Sequence, residues 1–231
     1  MGQHLAVRAV VFDFDGVILE TEEPEYLAWR EIWEGYGQDL PLETWSQCIG
    51  TRPEATSFDP FGELARRSGQ ALDERELRAQ AQRLKAQFLG GAGPREGVVE
   101  WVREAQALGM AVAVASSSTR SWVSQHLQRL GLAGQLRVLA CYDDCGAAKP
   151  DPASYLLACR QLGVAPAEAL AVEDSLNGLR AAKAAGLACV VVPTKMTAHM
   201  GFAEADLVLP SLRAAGLASV VKFLAPLPQV G

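Results

Sequence analysis

The sequence is poor in the residues from which many catalytic sites are built. Its three histidines are scattered at His4, His126 and His199, which leaves little material for a Ser-His-Asp triad or a histidine-rich metal site. The cysteines are odd in number and lack the paired spacing that is typical of a zinc site. We interpret them as reduced, mostly structural thiols: Cys48, Cys141, Cys145, Cys159 and Cys189.

The chain also lacks long runs of one kind of residue. Its formal net charge is -6, and no basic run indicates a nucleic-acid surface. No apolar stretch reaches the roughly 18 residues of a membrane span, and the N-terminus lacks the charged start and long apolar stretch of a signal peptide. We therefore expect a cytoplasmic protein whose partners are neither nucleic acid nor membrane.

What the sequence does have is a regular alternation of strand and helix signals. The 231 residues are 49% hydrophobic, enough for a packed core. Apolar runs predict strands at 6–12, 110–115, 136–140, 169–172, 188–192 and, more weakly, 207–209, with helices near 97–108, 120–130, 152–162, 176–185 and 211–224. Strands separated by helices of this length predict an α/β fold with a doubly wound, mainly parallel, Rossmann-like sheet.

One long segment interrupts this alternation. Residues 40–88 contain no strand signal and instead favour helices near 42–49, 53–67 and 73–89, after a first helical pattern that Gly35 and Gly37 end. A glycine-rich break follows at residues 90–94. The sequence therefore predicts a catalytic core from residues 1–19 and 95–231, with a small inserted helical domain over residues 20–94.

Polar residues gather at the ends of the predicted strands. Asp13 and Asp15 follow the first strand, and alternate positions of a strand leave the same face. The later strands are followed by three polar groups: Ser116 to Ser118; Asp143, Asp144 and Lys149; and Glu173, Asp174 and Ser175. Each group has an ordinary explanation, such as a helix cap, a solvated turn or a surface lysine. Because ligands of parallel sheets bind at the carboxyl ends of the strands, the joint pattern favours a single site.

These residue types suit phosphoryl transfer. Carboxylates without histidine or cysteine form a site for a hard cation such as magnesium. A lysine and hydroxyl groups beside them match the oxygens of a phosphoryl group. Asp13 could attack phosphorus to form an aspartyl-phosphate, and Asp15 could protonate the leaving oxygen and later deprotonate the attacking water.

The four groups together resemble the signatures of the haloacid dehalogenase superfamily. Asp13-Phe14-Asp15-Gly16-Val17 is similar to the first signature and Ser116 to the second. Lys149-Pro150-Asp151-Pro152 resembles the third, and Glu173-Asp174-Ser175 with Asn177-Gly178 resembles the fourth. The helical insertion resembles the cap domain of the subgroup that contains β-phosphoglucomutase and many sugar-phosphate phosphatases.

The resemblance implies a role for each matching residue. Asp13 would be the nucleophile and a magnesium ligand, and Asp15 the general acid and base that also gives the metal its backbone carbonyl. Ser116 and Lys149 would hold the phosphate. The distal acids would complete the metal site, Asp174 as a direct ligand and Glu173 directly or through water.

Three further residues are weaker candidates. Gly50-Thr51-Arg52 resembles the cap loop that reaches the substrate, so Arg52 is a candidate specificity residue, although a solvated arginine on the cap is nearly as good an interpretation. Ser117 could contact the phosphate through its backbone. Asn177 could support the residues that touch the metal and the substrate.

Departures from the family pattern help to choose among the activities of the superfamily. Dehalogenases of the superfamily lack the second aspartate, so Asp15 argues against dehalogenation. Glu25 stands where mutases of the β-phosphoglucomutase type have a histidine, and Glu20 stands where an aspartate is usual. The sequence thus favours a magnesium-dependent phosphatase for a small phosphorylated metabolite, such as a sugar phosphate. The alternatives are a phosphosugar mutase and, outside the enzymes, a phospho-accepting receiver-type signalling domain.

Overall fold

The computed structural model describes residues 7–50 and 58–225, whose centre is a sheet of six parallel strands. The strand order is β3-β2-β1-β4-β5-β6, so successive strands are added on one side of β1 and then on the other. This order confirms the doubly wound α/β fold. The strands are β1 (Ala9–Phe12), β2 (Ala111–Ala115), β3 (Val138–Ala140), β4 (Ala169–Glu173), β5 (Ala188–Val191) and β6 (Leu207–Val208).

The described part of the chain forms helices that cover both faces of the sheet and others that lie in the predicted insertion. They are α1 (Glu22–Gly35), α2 (Leu42–Trp45), α3 (Pro60–Ser68), α4 (Glu74–Leu89), α5 (Val98–Ala107), α6 (Arg120–Arg129), α7 (Tyr142–Cys145), α8 (Ala153–Leu162), α9 (Leu176–Ala185) and α10 (Leu217–Leu224). Along β1, Val10 and Phe12 pack into a cluster with α5, α6 and α10, whereas Ala9 and Val11 pack into a cluster with α8 and α9. Because both faces are buried, the strands are continuous apolar runs in the sequence.

Helices α1 to α4 surround an apolar cluster of their own. Trp29, Ile32 and Trp33 of α1 meet Leu77 and Ala81 of α4. Over residues 20–50 and 58–94, the described part of the predicted insertion, the chain forms helices and turns and adds no strand to the sheet. This arrangement agrees with the predicted insertion, and the division into two domains stays a prediction.

The predicted helix at 211–224 is wrong in its first half. Residues Leu212–Ala214 form a short 3-10 turn, Ala215 is extended, and α10 begins only at Leu217. Contacts with α5 interrupt the predicted helix. The Trp101 indole donates hydrogen bonds to the carbonyl oxygens of Leu212 and Ala215, at 2.8 and 2.9 Å. The Glu104 carboxylate accepts the amide of Leu217 at 2.8 Å and so caps α10 from another helix.

Two of the predicted helices of the insertion are shorter than expected, whereas the one near 73–89 is confirmed as α4, Glu74–Leu89. The segment 42–49 is one turn of α-helix, α2, followed by a 3-10 turn at Ser46–Cys48. Helix α3 begins at Pro60, because Asp59 caps it by accepting the Gly62 amide at 2.9 Å. The preceding residues 51–57 lie outside the described part of the chain. Among the helices that the structure describes, none is long and apolar enough to span a membrane.

Candidate active site

The sheet aligns its polar strand ends at one edge. Phe12 of β1 is in register with Val114 of β2 and Val172 of β4, so the residues after these strands emerge side by side. The Asp13 amide continues the ladder by donating to the Val172 carbonyl at 2.9 Å. Above this edge lies a cavity of about 520 Å³, with Asp13, Asp15 and Ser116 to Ser118 on the sheet side and residues of α1 and α4 opposite.

Asp13 belongs to a buried chain of charges. The Lys149 ammonium donates to Asp13 Oδ1 at 2.5 Å and to Glu173 Oε1 at 2.6 Å. Glu173 Oε1 also accepts the Tyr155 hydroxyl at 2.5 Å. The side chains of Asp13, Lys149 and Glu173 are all buried. The structure brings Asp13, Lys149 and Glu173 together, and the sequence pattern predicted that they would lie at one edge of the sheet. Tyr155 inside α8 carried no signal beyond that of an ordinary core aromatic.

Burial and the neighbouring charges shift the pKa values of Asp13 and Lys149. Burial raises the pKa of Asp13 to about 8, against the opposing effect of the Lys149 charge. Burial on its own would lower the pKa of Lys149, but Asp13 and Glu173 outweigh it and raise that pKa above its ordinary value. Lys149 therefore stays protonated and presents a fixed positive charge beside the Asp13 oxygen.

Lys149→Ala is expected to destabilise the protein strongly. The substitution leaves Asp13 and Glu173 buried without their counter-charge, a situation that typically costs about 3–5 kcal/mol. The measurement is the free energy of unfolding in urea with a chelator present. Lys183→Ala is the matched control, because the Lys183–Asp206 pair, at 2.7 Å, is partly exposed and should contribute about 1 kcal/mol or less. Equal losses in the two variants would contradict the assigned role of Lys149.

Asp15 lines the same cavity but has different partners. Its Oδ1 accepts the Thr21 hydroxyl at 2.8 Å and the Trp122 indole at 3.0 Å. Its Oδ2 accepts the Ser118 hydroxyl at 2.6 Å. The three donors come from before α1, from α6 and from the end of β2, so they fix the carboxylate from three sides. Of these three donors, the sequence indicated only Ser118, as part of the run of hydroxyl residues after β2.

Asp174 has a buried carboxylate that lacks a hydrogen-bond partner. Neither of its side-chain oxygens is hydrogen-bonded within the described residues. Burial, followed by the charges of Glu22, Asp13 and Glu173, raises its pKa well above the ordinary value. Gly16, at φ +80°, leaves space beside it, because a Cβ at this position would lie 2.3 Å from Asp174 Oδ2.

The acidic cluster can hold a divalent cation. One oxygen each of Asp13, Glu173 and Asp174 lie within 4.8 Å of one another, and an all-oxygen donor set is the kind that magnesium prefers. The carboxylate oxygens of Asp174, which have no hydrogen-bond partner among the described residues, are free to bind such a cation. Glu173 is already engaged, since its Oε1 contacts Lys149 and Tyr155 and its Oε2 lies 3.2 Å from the Asp174 amide.

The metal-free protein is expected to lose stability as the pH rises from about 4 to about 8. Asp13 and Asp174 have raised pKa values in the folded protein, so the unfolded chain releases these protons first. The stability that their protonated forms provide is complete below the ordinary carboxyl pKa and is lost as the pH rises through the folded pKa.

Added magnesium should therefore raise the melting temperature more at about pH 8 than at about pH 5, because the cation replaces the protons. A free concentration of 100 Kd would stabilise the fold by about 2.7 kcal/mol. In Asp174→Asn this stabilisation should largely disappear while the metal-free protein stays folded. An unchanged response to magnesium in that variant would contradict the metal assignment.

The remaining predicted residues take varied positions. Ser116 is buried, lines the cavity and accepts the Ser118 amide at 2.9 Å. Ser117 accepts the Lys149 amide at 3.1 Å and donates to the Gly50 carbonyl at 3.4 Å. The Asn177 amide donates to the Ile49 carbonyl at 3.0 Å. Ser117 and Asn177 thus attach residues 49–50 to the core. Arg52 lies outside the described residues.

Asp143 and Asp144 do not join the site, although their position after β3 suggested it. Asp143 accepts the backbone amide of Arg120 at 2.8 Å, and Asp144 pairs with the Arg120 guanidinium at 2.8 Å. Asp144 also accepts the Cys141 amide at 2.8 Å. These acids stabilise the starts of α6 and α7, a role that side chains at helix N-termini often have.

Comparisons with known proteins find one matching family and several similar chains. A sequence model described as haloacid dehalogenase-like hydrolase matches residues 7–186, which extend from β1 through α9. YhcW of Bacillus subtilis (strain 168), whose name proposes a phosphatase, is 42% identical over 218 residues, which cover 94% of this chain and 98% of YhcW. Phosphoglycolate phosphatase of Thiobacillus denitrificans is 31% identical over 217 residues, covering 92% of this chain and 96% of the relative.

A solved structure is also similar over most of its length. A variant of CbbY from Rhodobacter sphaeroides, in complex with xylulose-(1,5)bisphosphate, has a TM-score of 0.74 and 31% sequence identity. The match covers 92% of this chain and 98% of that chain.

Proposed function

The chain belongs to the haloacid dehalogenase-like hydrolases, and from this premise we propose that it is a magnesium-dependent phosphatase. Its substrate is a small phosphorylated metabolite such as a sugar phosphate, hydrolysed through an aspartyl-phosphate on Asp13. The observation that carries the proposal is the contact between Asp13 and Lys149 beside the unpartnered Asp174 carboxylate. We also propose that residues 20–94 form a cap domain that closes one side of the cavity.

Asp13 is the nucleophile of the first step. One of its oxygens forms a bond to phosphorus while the bond from phosphorus to the ester oxygen breaks. Lys149 orients the carboxylate through Oδ1, and Lys149 with Ser116 holds the oxygens of the phosphoryl group. A magnesium ion held by Asp13, the Asp15 carbonyl and Asp174, with Glu173 as a further ligand directly or through water, would offset the negative charge of the attacking and accepting groups.

Asp15 moves the protons of both steps. Its Oδ1 already accepts two hydrogen bonds and its Oδ2 accepts one, so Oδ2 is the atom with room for a proton. Asp15 gives this proton to the departing alkoxide, which leaves as the alcohol. It then takes a proton from the attacking water as the bond between phosphorus and Asp13 breaks and inorganic phosphate leaves.

The direct test is phosphate release from a panel of phosphorylated sugars and small acids, with magnesium and with a chelator. We expect release from at least one phosphomonoester and loss of the activity on chelation. A receiver-type domain would accept a phosphoryl group without catalytic turnover, so turnover distinguishes the two. Complete absence of release across the panel, including p-nitrophenyl phosphate, would contradict the proposal.

The mutase alternative is disfavoured by the residue at the start of α1. Glu25, which stands where the mutases have histidine, is bonded to Lys85 at 2.6 Å. The same assay separates the two activities, because a mutase would convert a sugar 1-phosphate into its isomer without releasing phosphate.

A further inference from the structure

The wall of the cavity opposite the catalytic aspartates has its positive charges neutralised. Among the described residues that line it, the cationic side chains are Lys85 and Arg78. Lys85 is paired with Glu25 at 2.6 Å and lies over the Trp122 ring, 4.6 Å from its centroid. Arg78 is paired with Glu74 at 2.9 Å and with Asp59 at 3.0 Å. Neither cation is therefore available as a dedicated partner for an anionic group of the substrate.

Glu22 is a carboxylate that also lines the cavity, close enough to Asp174 for its charge to raise the pKa of that group. It is the first residue of α1, lines the cavity and is only 8% exposed. Within residues 7–50 and 58–225, no side chain or backbone amide donates a hydrogen bond to its carboxylate. The charged groups that act on it include Glu25, Asp15, Lys85 and Glu20. Because Glu22 lines the cavity, its carboxylate can accept hydrogen bonds from a ligand that enters there.

We propose that Glu22 binds the alcohol part of the substrate by accepting hydrogen bonds from its hydroxyl groups. The enzyme then selects phosphomonoesters of uncharged polyols and rejects those whose alcohol part carries a second phosphate or a carboxylate. This inference rests on the proposed phosphatase function and adds the class of alcohol. An anionic substituent would find the described cations of the cavity, Lys85 and Arg78, already paired with carboxylates, so it would gain no counter-charge, and this lack supplies the selectivity.

Aromatic surfaces beside Glu22 suit the same ligand. The largely buried Trp29 and the ring of Trp122 line the cavity with it, and flat rings pack against the carbon face of a sugar while a few polar groups fix its hydroxyls. The inference sets this chain apart from the CbbY structure, whose bound sugar carries two phosphates, and from the relative named for phosphoglycolate, which carries a carboxylate.

The test compares three kinds of substrate in the full-length enzyme with magnesium. They are the best polyol monophosphate of the panel, the bisphosphate of the same polyol, and p-nitrophenyl phosphate, which has no hydroxyl group. We expect kcat/KM for the monophosphate to exceed that for the bisphosphate by at least about tenfold. Glu22→Gln should lower kcat/KM for the monophosphate by about 10-fold and Glu22→Ala by about 100-fold, with the bisphosphate less affected.

Activity on p-nitrophenyl phosphate should fall less than activity on the monophosphate in both variants, and circular dichroism shows that they fold. Glu23→Gln is the matched control: Glu23 is the next residue of α1, with its side chain 40% exposed and 3.8 Å from Lys195, and its variant should resemble the wild type on every substrate.

Two results would overturn the inference while leaving the phosphatase function intact. One is a wild-type preference for the bisphosphate or for phosphoglycolate, in which case Arg52→Ala would show whether the cap loop provides the cation. The other is an equal loss on p-nitrophenyl phosphate in Glu22→Gln, which would place Glu22 among the groups that act on phosphorus or metal. Failure of the wild type on all phosphomonoesters would overturn the proposed function and this inference with it.

Discussion

Asp13→Asn is expected to abolish turnover. We expect kcat to fall by about 10⁶-fold, as is typical when a catalytic nucleophile is removed. The amide is a poor nucleophile, so no covalent phosphoryl intermediate can form. Asparagine matches aspartate in size, but it cannot provide the negative charge that Lys149 contacts at 2.5 Å. The measurements are phosphate release with magnesium and intact mass of the enzyme after mixing with substrate.

Asp143→Asn is the matched control for this variant. Asp143 lies in α7, after β3, and its Oδ2 accepts a hydrogen bond from the Arg120 backbone amide at 2.8 Å, a bond that an asparagine oxygen can still accept. This control should keep full activity. Full turnover in Asp13→Asn, or a phosphoryl group found on one of the serines at the end of β2, would contradict the mechanism.

Asp15→Asn is expected to slow the reaction by about 10²–10⁴-fold on alkyl phosphates, the usual contribution of general acid and base catalysis. Asparagine can still accept hydrogen bonds where Asp15 accepts those of Thr21, Trp122 and Ser118, but it has no proton to give at Oδ2. An alkoxide needs that proton to leave. A nitrophenolate does not, so the first step should be partly spared on p-nitrophenyl phosphate.

The second step provides a sharper readout of the same variant. Without Asp15 to take a proton from water, the aspartyl-phosphate on Asp13 should accumulate. Mass spectrometry of the Asp15→Asn enzyme, quenched after mixing with p-nitrophenyl phosphate, should find one added phosphoryl group on the peptide that contains Asp13. Equal slowing on alkyl and aryl substrates, with no adduct, would argue against Asp15 as the acid and base.

The sequence was sufficient to predict the architecture and to predict that most of the candidate site residues lie close together. Strands buried on both faces are continuous apolar runs, so β1 to β5 could be found within a few residues. Parallel strands end at one edge of a sheet, and this rule alone predicts that Asp13, Ser116 and Asp174 lie near one another. Element ends were less predictable: α10 starts later than its apolar pattern because Trp101 and Glu104 of α5 bind the backbone at its start.

What the tertiary structure decided is which polar groups are partnered. Lys149 lies 136 residues from Asp13 and 24 from Glu173, and only packing shows that it bridges both. Packing likewise determines the partners of Asp15, whose three donors come from separate segments. It also determines that Asp143 and Asp144 contact Arg120 and do not join the site. Local pattern determines which face a residue occupies, because strand and helix periods are properties of the backbone. Hydrogen-bond partners depend on distances between segments far apart in the chain. Only the fold could therefore show that the carboxylates of Asp174 and Glu22 have no hydrogen-bond donor among the described residues.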